Sequence, residues 1–338
     1  MSSSKDQTKN IKLNVGKTEL LLLGVLAILF AFFAITSPVF FQFSNIMNLL
    51  RQTSISGIIA LGMVFVIISS GIDLSVGSVL GFSGTAVALL MTNYGLPVPI
   101  AIMLAVLACA VIGLLNGVLI YDGKVPPFIA TMGMMSLVRA VLMLMTNARM
   151  ISGFPDSFLA IARAEVFRDT IESIAQSEIG GIPFLAVVWI LLTLLAVFIA
   201  KKTVFGRNVY AYGSNKESAR LSGINTRITI YGTYIFSAVM CAIAGILITS
   251  RLSNAAPTAG TGFELDAIAA AVVGGASLSG GKGSVIGAFL GAIIMSTLRQ
   301  GGTLLGVNAF IMEIVIACLI VLAVLIDQLG RKRGGKEA

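Results

Sequence analysis

The 338-residue chain contains no histidine and only three cysteines, and just 11% of its residues are charged. The absence of histidine excludes Ser-His-Asp triads, HExxH metal sites and haem ligation by an imidazole. Cys109, Cys241 and Cys318 each stand alone in an apolar run, so they form no CxxC motif for zinc or an iron–sulfur cluster. We therefore expect no metal and no cofactor, and we interpret the cysteines as small packing residues.

Charged residues are scarce because apolar residues make up 57% of the chain, with a mean hydropathy of +0.98. Soluble domains contain about 25% charged residues, so this composition predicts an integral membrane protein. A helix needs about 20 mostly apolar residues to cross a hydrocarbon core of about 30 Å. The sequence predicts an all-α polytopic membrane helix bundle of about ten transmembrane segments, at 18–36, 54–70, 75–92, 97–120, 126–146, 182–200, 228–250, 265–279, 284–300 and 307–326.

The net charge of +8 is explained by membrane topology, and we expect no nucleic-acid partner. If the N-terminus is cytoplasmic, most lysines and arginines fall on one side of the ten segments, as the positive-inside rule requires. Both termini are then cytoplasmic, and the uncleaved first apolar run is a retained span rather than a signal peptide. The expected regions are a cytoplasmic tail (1–17), a transmembrane domain (18–327) with a periplasmic loop (147–181) and a cytoplasmic loop (201–227), and a basic cytoplasmic tail (328–338).

The run GGASLSGGKGSVIGAFLG, at 274–291, contains two fragments of nucleotide-binding motifs. LSGG is the core of the ATP-binding cassette signature, and GGKGS resembles part of a phosphate-binding loop. That loop requires GxxxxGK[ST] between a strand and a helix, but here Gly283 replaces the Ser or Thr and Ala276 replaces the first glycine. We interpret the run as a tight turn between two spans, with Ser279 or Ser284 capping the next helix.

Three glycines after this turn recur every four residues: Gly283, Gly287 and Gly291. Such a small-xxx-small stripe allows two helices to approach closely. We expect it on one face of the ninth segment. It serves either tight packing within one bundle, or a dimer contact or helices that slide during a transport cycle. We favour packing within the bundle, because a GxxxG pattern alone is a weak indication of dimers.

A second Gly/Ser-rich turn has a similar order of residues. The stretches 71–84 (GIDLSVGSVLGFSG) and 275–291 share G-x-x-L-S-x-G followed by S-V, an apolar residue and glycine. Internal duplication is common in transporters, and chance similarity between Gly/Ser turns is an equal alternative. Both turns are expected on the cytoplasmic side.

Few polar side chains lie inside the apolar runs, where each one costs several kcal/mol unless it is paired or faces water. Candidates for a polar translocation path are Asp73, Asn116, Glu264 and Asp266. The alternative for the three carboxylates is a position at the bilayer interface. We interpret Arg139 and Glu313 as buried structural partners, too few to form a proton relay.

The cytoplasmic loop KKTVFGRNVYAYGSNKESARLSGINTRI, at 201–228, is the longest on its side. Its centre predicts a short helix with Ser214 as N-cap, Glu217 as the capping-box partner and Gly223 as the stop. A capped, charged helix between two spans is suited to docking a soluble partner. The alternative is a solvated helix at the interface.

Four stretches together resemble one family, the permease subunits of bacterial ATP-binding cassette importers for monosaccharides, and within it the ribose permease group. They are QTSISGIIALGMVFVIISSGIDLSVGS (52–78), PPFIATMGMMSLVRA (126–140), FGRNVYAYGSNKESARLSGIN (205–225) and RLSNAAPTAGTGFELDAIAAAVVGGASLSGGKGS (251–284). The resemblance covers nearly the whole chain after the first span. The outer loop at 147–181 resembles the family least.

The resemblance implies a transport subunit of the bacterial inner membrane rather than an enzyme. Its partners would be a separate ATPase subunit, a periplasmic sugar-binding protein, a second permease copy, as a homodimer, and membrane lipid. The segment matching the family's ATPase contact contains Glu217, Ala219, Arg220, Leu221 and Gly223. ATP-driven closure of the ATPases would switch the permease between two states of alternating access.

Two other functions remain open from the sequence. An ion-coupled secondary transporter needs no ATPase, but the absence of histidine and the few buried acids count against it. An intramembrane enzyme should gather acidic and basic residues at one face, and the sequence contains no such cluster. Ribose is the favoured cargo, although side chains from several helices shape such a pocket and the sequence alone does not identify the sugar.

Overall fold

The computed structural model describes residues 16–175 and 180–334, so most of the expected tail 1–17 and the end of the tail 328–338 lie outside the described residues. Its regular secondary structure is almost entirely helical. Its elements are α1 (Lys17–Thr36), α2 (Phe43–Ile68), α3 (Val76–Thr92), α4 (Val98–Tyr121), α5 (Pro127–Thr146), α6 (Asp156–Arg163), β1 (Glu165–Val166), α7 (Arg168–Ala175), β2 (Ile182–Pro183), α8 (Phe184–Lys202), α9 (Val204–Ser214), α10 (Lys216–Leu221), α11 (Thr226–Leu252), α12 (Phe263–Val273), α13 (Val285–Leu304) and α14 (Ala309–Gly334).

The predicted all-α membrane bundle is confirmed. Within the described residues, seven helices are long and apolar enough to cross a membrane: α1, α2, α4, α5, α8, α11 and α13. Two shorter apolar helices, α3 and the Ala309–Leu325 part of α14, also match predicted segments. Helix α2 begins at Phe43, well before the predicted residue 54, because its first turns are polar and give no hydropathy signal.

The expected span at 265–279 is wrong as a full crossing. Helix α12 has 11 residues, which at 1.5 Å per residue reach about 16 Å, half of a bilayer core. It ends at Gly274 and Gly275, and Gly275 has a φ of +88°, a conformation that glycine adopts without strain. Residues 274–284 then continue without helix to the start of α13.

Two faces of the bundle are defined by its connections. The α10 face is where α8 ends and α11 begins, and the outer-loop face carries α6 and α7 between α5 and α8. Strands β1 and β2 pair antiparallel in the outer loop, with Glu165 opposite Pro183. Arg51 Nη2 of α2 donates to Glu165 Oε1 at 2.8 Å, which ties this loop to the bundle. The positive-inside distribution predicts that the α10 face is cytoplasmic.

Helices α2 and α11 form the centre of the bundle. The most apolar stretch of α2 is 83% buried and that of α11 is 61% buried, compared with 11% for α1 and 22% for α4. Apolar side chains on α1, α4 and α8 are exposed, such as Ile28, Met103 and Leu194. In a membrane protein these exposed surfaces are the ones that face lipid.

The glycine stripe packs inside the chain. A Cβ on Gly287 would lie 2.0 Å from the Gly274 carbonyl oxygen, and a Cβ on Gly291 would lie 2.0 Å from the Ala270 oxygen. Both glycines therefore face α12 and allow the two backbones to touch. Gly283 lies before α13 rather than on it, and it contacts the Ile68 side chain.

Candidate translocation cavity and coupling surface

A cavity with a volume of about 580 Å³ opens between α2, α12, α13 and α14. It extends from the outer-loop ends of α11 and α12 to the middle of the bundle, at Ala270 and Ala292. Polar and charged groups line it together with apolar ones. They are Gln52, Ser56, Arg251, Thr261, Asp266, Ser296, Arg299 and Glu313.

An ion pair stands in the wall of this cavity. Arg299 Nη2 donates to Asp266 Oδ1 at 2.8 Å, and both side chains are partly exposed. Glu313 of α14 lines the same cavity, and Phe263 supplies an aromatic ring. Of the four predicted path residues, the structure therefore brings Asp266 to the cavity. The expectation that Glu313 is a buried structural partner is wrong, since this carboxylate faces the cavity.

Asp73 and Asn116 lie together, but in a closed buried network. Ser75 Oγ donates to Asp73 Oδ1 at 2.5 Å, and Ser237 Oγ donates to Asp73 Oδ2 at 3.1 Å. Asn116 Nδ2 donates to Ser75 Oγ at 2.9 Å. Asp73 and Asn116 are 2% and 1% exposed, so both side chains are buried inside the protein. Neither residue lines the 580 Å³ cavity.

Glu264 serves a different contact, at the start of α12. Its Oε1 accepts from the Gly262 N–H at 3.2 Å, and its other oxygen lies against Gly77 of α3. Nearby, Arg139 Nη1 donates to the carbonyl oxygens of Pro257 and Ala259, each at 2.7 Å. Arg139 is therefore the structural partner that we expected, although its partners are backbone carbonyls and not a carboxylate.

The predicted short helix is present as α10, with two corrections to its cap. Glu217 is not the capping-box partner, because its carboxylate bonds to Arg220. Asn215, not Ser214, is the N-cap, and its Oδ1 accepts from the Ser218 N–H at 2.9 Å. Ser214 is instead the last residue of α9. Both residue types cap helices well, so the sequence alone left the start of α10 one residue uncertain. Gly223 ends the turn with a φ of +79°.

Helix α10 presents an exposed, charged surface. Leu221 is 76% exposed, and Glu217 and Arg220 form an ion pair at 2.8 Å on the surface. The hydrogen bond from Arg220, and after it the Arg220 charge, lower the pKa of the Glu217 carboxyl. Ala219 is the buried residue of the five and faces the bundle. The surface therefore holds a carboxylate, a guanidinium and an apolar side chain within one turn.

Helix α9 connects α10 to the bundle through a contact that the sequence did not reveal. We name it the α9 junction, formed by Ile68, Ser70, Gly213, Gly280 and Gly281. The Gly281 N–H donates to the Ile68 oxygen at 2.8 Å, and Ser70 Oγ donates to the Gly213 oxygen at 3.0 Å. A Cβ on Gly213 would lie 1.7 Å from the Ile68 oxygen. Three backbone segments thus meet without intervening side chains.

The LSGG run takes part in this junction. Gly280 and Gly281 have φ values of +81° and +70°, and their N–H groups bond to Ser277 and Ile68 within the chain. These N–H groups are consequently not free to hold a phosphate. Ser284 caps α13 as one of the two expected residues, accepting from the Gly287 N–H at 3.2 Å. The interpretation of the run as a tight turn is confirmed.

Comparisons with known proteins agree with this architecture. Residues 45–324 match the family described as branched-chain amino acid transport system / permease component. Ribose import permease protein RbsC of Haemophilus influenzae is 41% identical over 97% of this chain and 99% of its own length. The RbsC of Bacillus subtilis is 40% identical over 90% of each chain, and xylose transport system permease protein XylH of Haemophilus influenzae is 36% identical over 93% of this chain and 96% of its own.

No solved structure matches the chain. The family match spans most of the described residues, from α2 to α14. The relatives cover the chain almost end to end at more than one third identity. The chain therefore belongs to the family of branched-chain amino acid transport system / permease components.

Proposed function

We propose that this protein is the membrane-spanning permease subunit of an ATP-binding cassette importer that carries a monosaccharide, with ribose as the favoured cargo, into a bacterial cell. The observation that carries the proposal is the polar cavity of about 580 Å³ in a chain whose full-length relatives are named ribose and xylose permeases. The chain is then a transport subunit of the bacterial inner membrane, and ATP hydrolysis belongs to a partner.

The chemistry of the cavity supports a sugar as cargo. Small-molecule sites occupy about 300–1,000 Å³ and combine apolar walls with a few placed polar groups. A pentose presents several hydroxyl groups, each of which both donates and accepts. The Asp266–Arg299 pair supplies acceptor and donor together, Gln52 and Ser296 add further polar groups, and Phe263 offers a ring face. These features support Asp266 as part of the translocation path.

The other three predicted path residues have different proposed roles. The closed network around Asp73 and Asn116 joins α3, α4 and α11 through Ser75 and Ser237, so we propose that it fixes their relative positions. Glu264 fixes the start of α12 at the mouth of the cavity. All three would act on the path through the helices that they hold rather than by touching the sugar.

The exposed α10 surface supports a soluble ATPase as the partner on the α10 face. Glu217, Arg220 and Leu221 are its exposed contacts, Ala219 anchors the helix to the bundle, and Gly223 provides the turn. The loop 201–227 is the coupling loop in this proposal, and the loop 147–181 on the outer-loop face receives the periplasmic sugar-binding protein. A second copy of this chain would complete the pathway as a homodimer within membrane lipid.

The test is ribose uptake into proteoliposomes that hold this chain with the ATPase subunit inside and the binding protein outside. We expect uptake only when all three proteins and internal ATP are present. Uptake of xylose instead of ribose under the same requirements would keep the mechanism and change the cargo. Sugar accumulation without ATP, driven by an ion gradient, would refute the proposal in favour of a secondary transporter.

A further inference from the structure

A second, smaller cavity lies on the α10 face, at the opposite end of the bundle from the first. Its volume is about 200 Å³. It is lined by the end of α2, the end of α4 and the α4–α5 connection, α9, α10 and α11. Its polar lining consists of Ser69, Ser70, Lys124, Tyr212, Lys216 and Tyr234.

The cavity has a positive lining without a compensating carboxylate. Lys124 and Lys216 both line it, and no Asp or Glu does. Neither lysine forms an ion pair with any carboxylate in residues 16–175 and 180–334. The Lys216 Nζ lies 5.5 Å from the centre of the Tyr212 ring, a cation–π distance that holds the ammonium at the cavity.

The backbone at Lys124 is in an uncommon conformation. Its φ is +52°, in the left-handed region that only a few per cent of residues other than glycine adopt. Such residues persist where the surrounding structure holds them, and they concentrate at functional sites. Lys124 lies in the short α4–α5 connection and lines the cavity together with Lys216 of α10.

A buried hydroxyl group in the wall lacks a partner. Tyr234 is 1% exposed, and its hydroxyl forms no hydrogen bond within the described part of the chain. A buried polar group without a partner is costly, so native structures almost always satisfy it. The residue next to it is Gly71, where a Cβ would lie 2.5 Å from this oxygen. The Gly71 backbone therefore lies directly against the hydroxyl.

We propose that this cavity binds a small oxyanion of the phosphate class. Lys124 and Lys216 supply two positive charges, and the Tyr234 hydroxyl supplies a buried donor. Lysine is a common phosphate ligand that acts as a point charge. The buried Asp73 carboxylate accepts hydrogen bonds from Ser75 and Ser237, and it does not line the cavity. The oxyanion is either free phosphate or the phosphodiester of a lipid headgroup, since both carry the same group.

The site lies between two elements, so a bound anion should affect how α10 is attached to the bundle. Lys124 belongs to the α4–α5 connection, whereas Lys216 is the first residue of α10. An anion between them attracts both ammonium groups and so links the docking helix to the transmembrane bundle. The empty cavity instead holds two like charges that repel each other. Occupancy should therefore stabilise the attachment of α10 to the bundle.

The test measures anion binding to the full chain in lipid nanodiscs, without any partner protein. Inorganic phosphate is titrated by calorimetry and by the thermal unfolding midpoint, in discs of phosphatidylcholine with and without phosphatidylglycerol. Hydrogen bonds to charged groups are strong, so Lys124→Gln and Lys216→Gln should each weaken phosphate binding about tenfold or more. Tyr234→Phe should weaken it as well, and Lys216→Arg should retain binding.

The matched controls are Lys201→Gln and Lys202→Gln, which remove one positive charge each at the end of α8 on the same face. They should bind phosphate like the wild type. A second supporting result is that phosphatidylglycerol stabilises the protein while free phosphate does not, and that Lys124→Gln and Lys216→Gln each lose this stabilisation. It would identify a lipid headgroup as the source of the anion. If neither phosphate nor phosphatidylglycerol stabilises the protein, or if the two lysine variants respond as the controls do, the proposal is overturned. Because transport is not measured, this result is independent of the importer function.

Discussion

Replacing Gly213 by alanine tests how α10 is connected to the transport pathway. Gly213 lies in α9, one residue from its end, with its backbone against α2 and the 277–283 turn. The Cβ of alanine would lie 1.7 Å from the Ile68 oxygen and 2.7 Å from the Gly281 nitrogen, where real Cβ contacts stay above 3.0 Å. The backbones must therefore separate by about 1.3 Å.

The energetic cost follows from the same geometry. Overpacking of this kind costs about 1–3 kcal/mol, and the separation weakens the Gly281 N–H···Ile68 O bond, now 2.8 Å, by about 1 kcal/mol. Alanine recovers about 1 kcal/mol, because glycine is a poor helix former. We expect a net destabilisation of about 1–3 kcal/mol, which leaves the protein folded but shifts the α9 junction.

The assay compares ATP-dependent ribose uptake and the unfolding midpoint in Gly213→Ala, Gly133→Ala and the wild type. Gly133 lies on α5, where a Cβ would have no neighbouring atom within 4 Å, so its replacement should be neutral or slightly stabilising. Gly213→Ala should lose uptake by at least about tenfold while ATPase binding persists, since α10 itself is unchanged. Uptake equal to that of Gly133→Ala would refute a transmitting role for the junction.

Four further substitutions test other parts of the fold. Asp266→Asn and Arg299→Gln each leave one member of the cavity ion pair unpartnered, so ribose uptake should fall about tenfold, measured against Lys202→Gln. Gly287→Val places a Cβ 2.0 Å from the Gly274 oxygen, and should lower the unfolding midpoint by several degrees relative to Gly24→Val. Gly223→Val imposes a left-handed φ of +79° on a β-branched residue, and should uncouple ATP hydrolysis from uptake in a folded protein.

The sequence predicted the membrane segments well where hydrophobicity alone decides them. Helices α4, α5 and α8 begin and end within a few residues of the expected bounds, because they are apolar over most of their length. The first turns of α2 contain Ser44, Asn45, Asn48, Arg51 and Gln52, which carry no signal for a membrane helix. Helix α12 was expected to be longer, since an apolar run does not show where a glycine with positive φ ends the helix.

The candidate site was predicted in its components but not in its arrangement. Asp266 was predicted as a path residue, yet the sequence did not reveal its pairing with Arg299, which joins α12 to α13 across 33 residues. Asp73 and Asn116 meet through Ser75, although 43 positions separate them. A single amino-acid sequence does not indicate which distant residues lie close together in the folded chain. Gly213 shows most clearly what the sequence does not reveal. A glycine near a helix end is common, and only the structure shows that two other backbone segments contact it.

The two similar Gly/Ser turns lie next to each other and next to the end of α9. Ser70, which precedes the first turn, has a φ of +62° and donates to the Ser279 oxygen of the second turn at 3.2 Å. The end of α9 touches both, through Gly213 and through Ser214 against Gly281. The first turn leads into α3 and the Asp73 network, and the second leads into α13, whose Arg299 lines the cavity. In the proposed mechanism, a displacement of α10 would act on both turns at once, so that a single helix would move two walls of the bundle together.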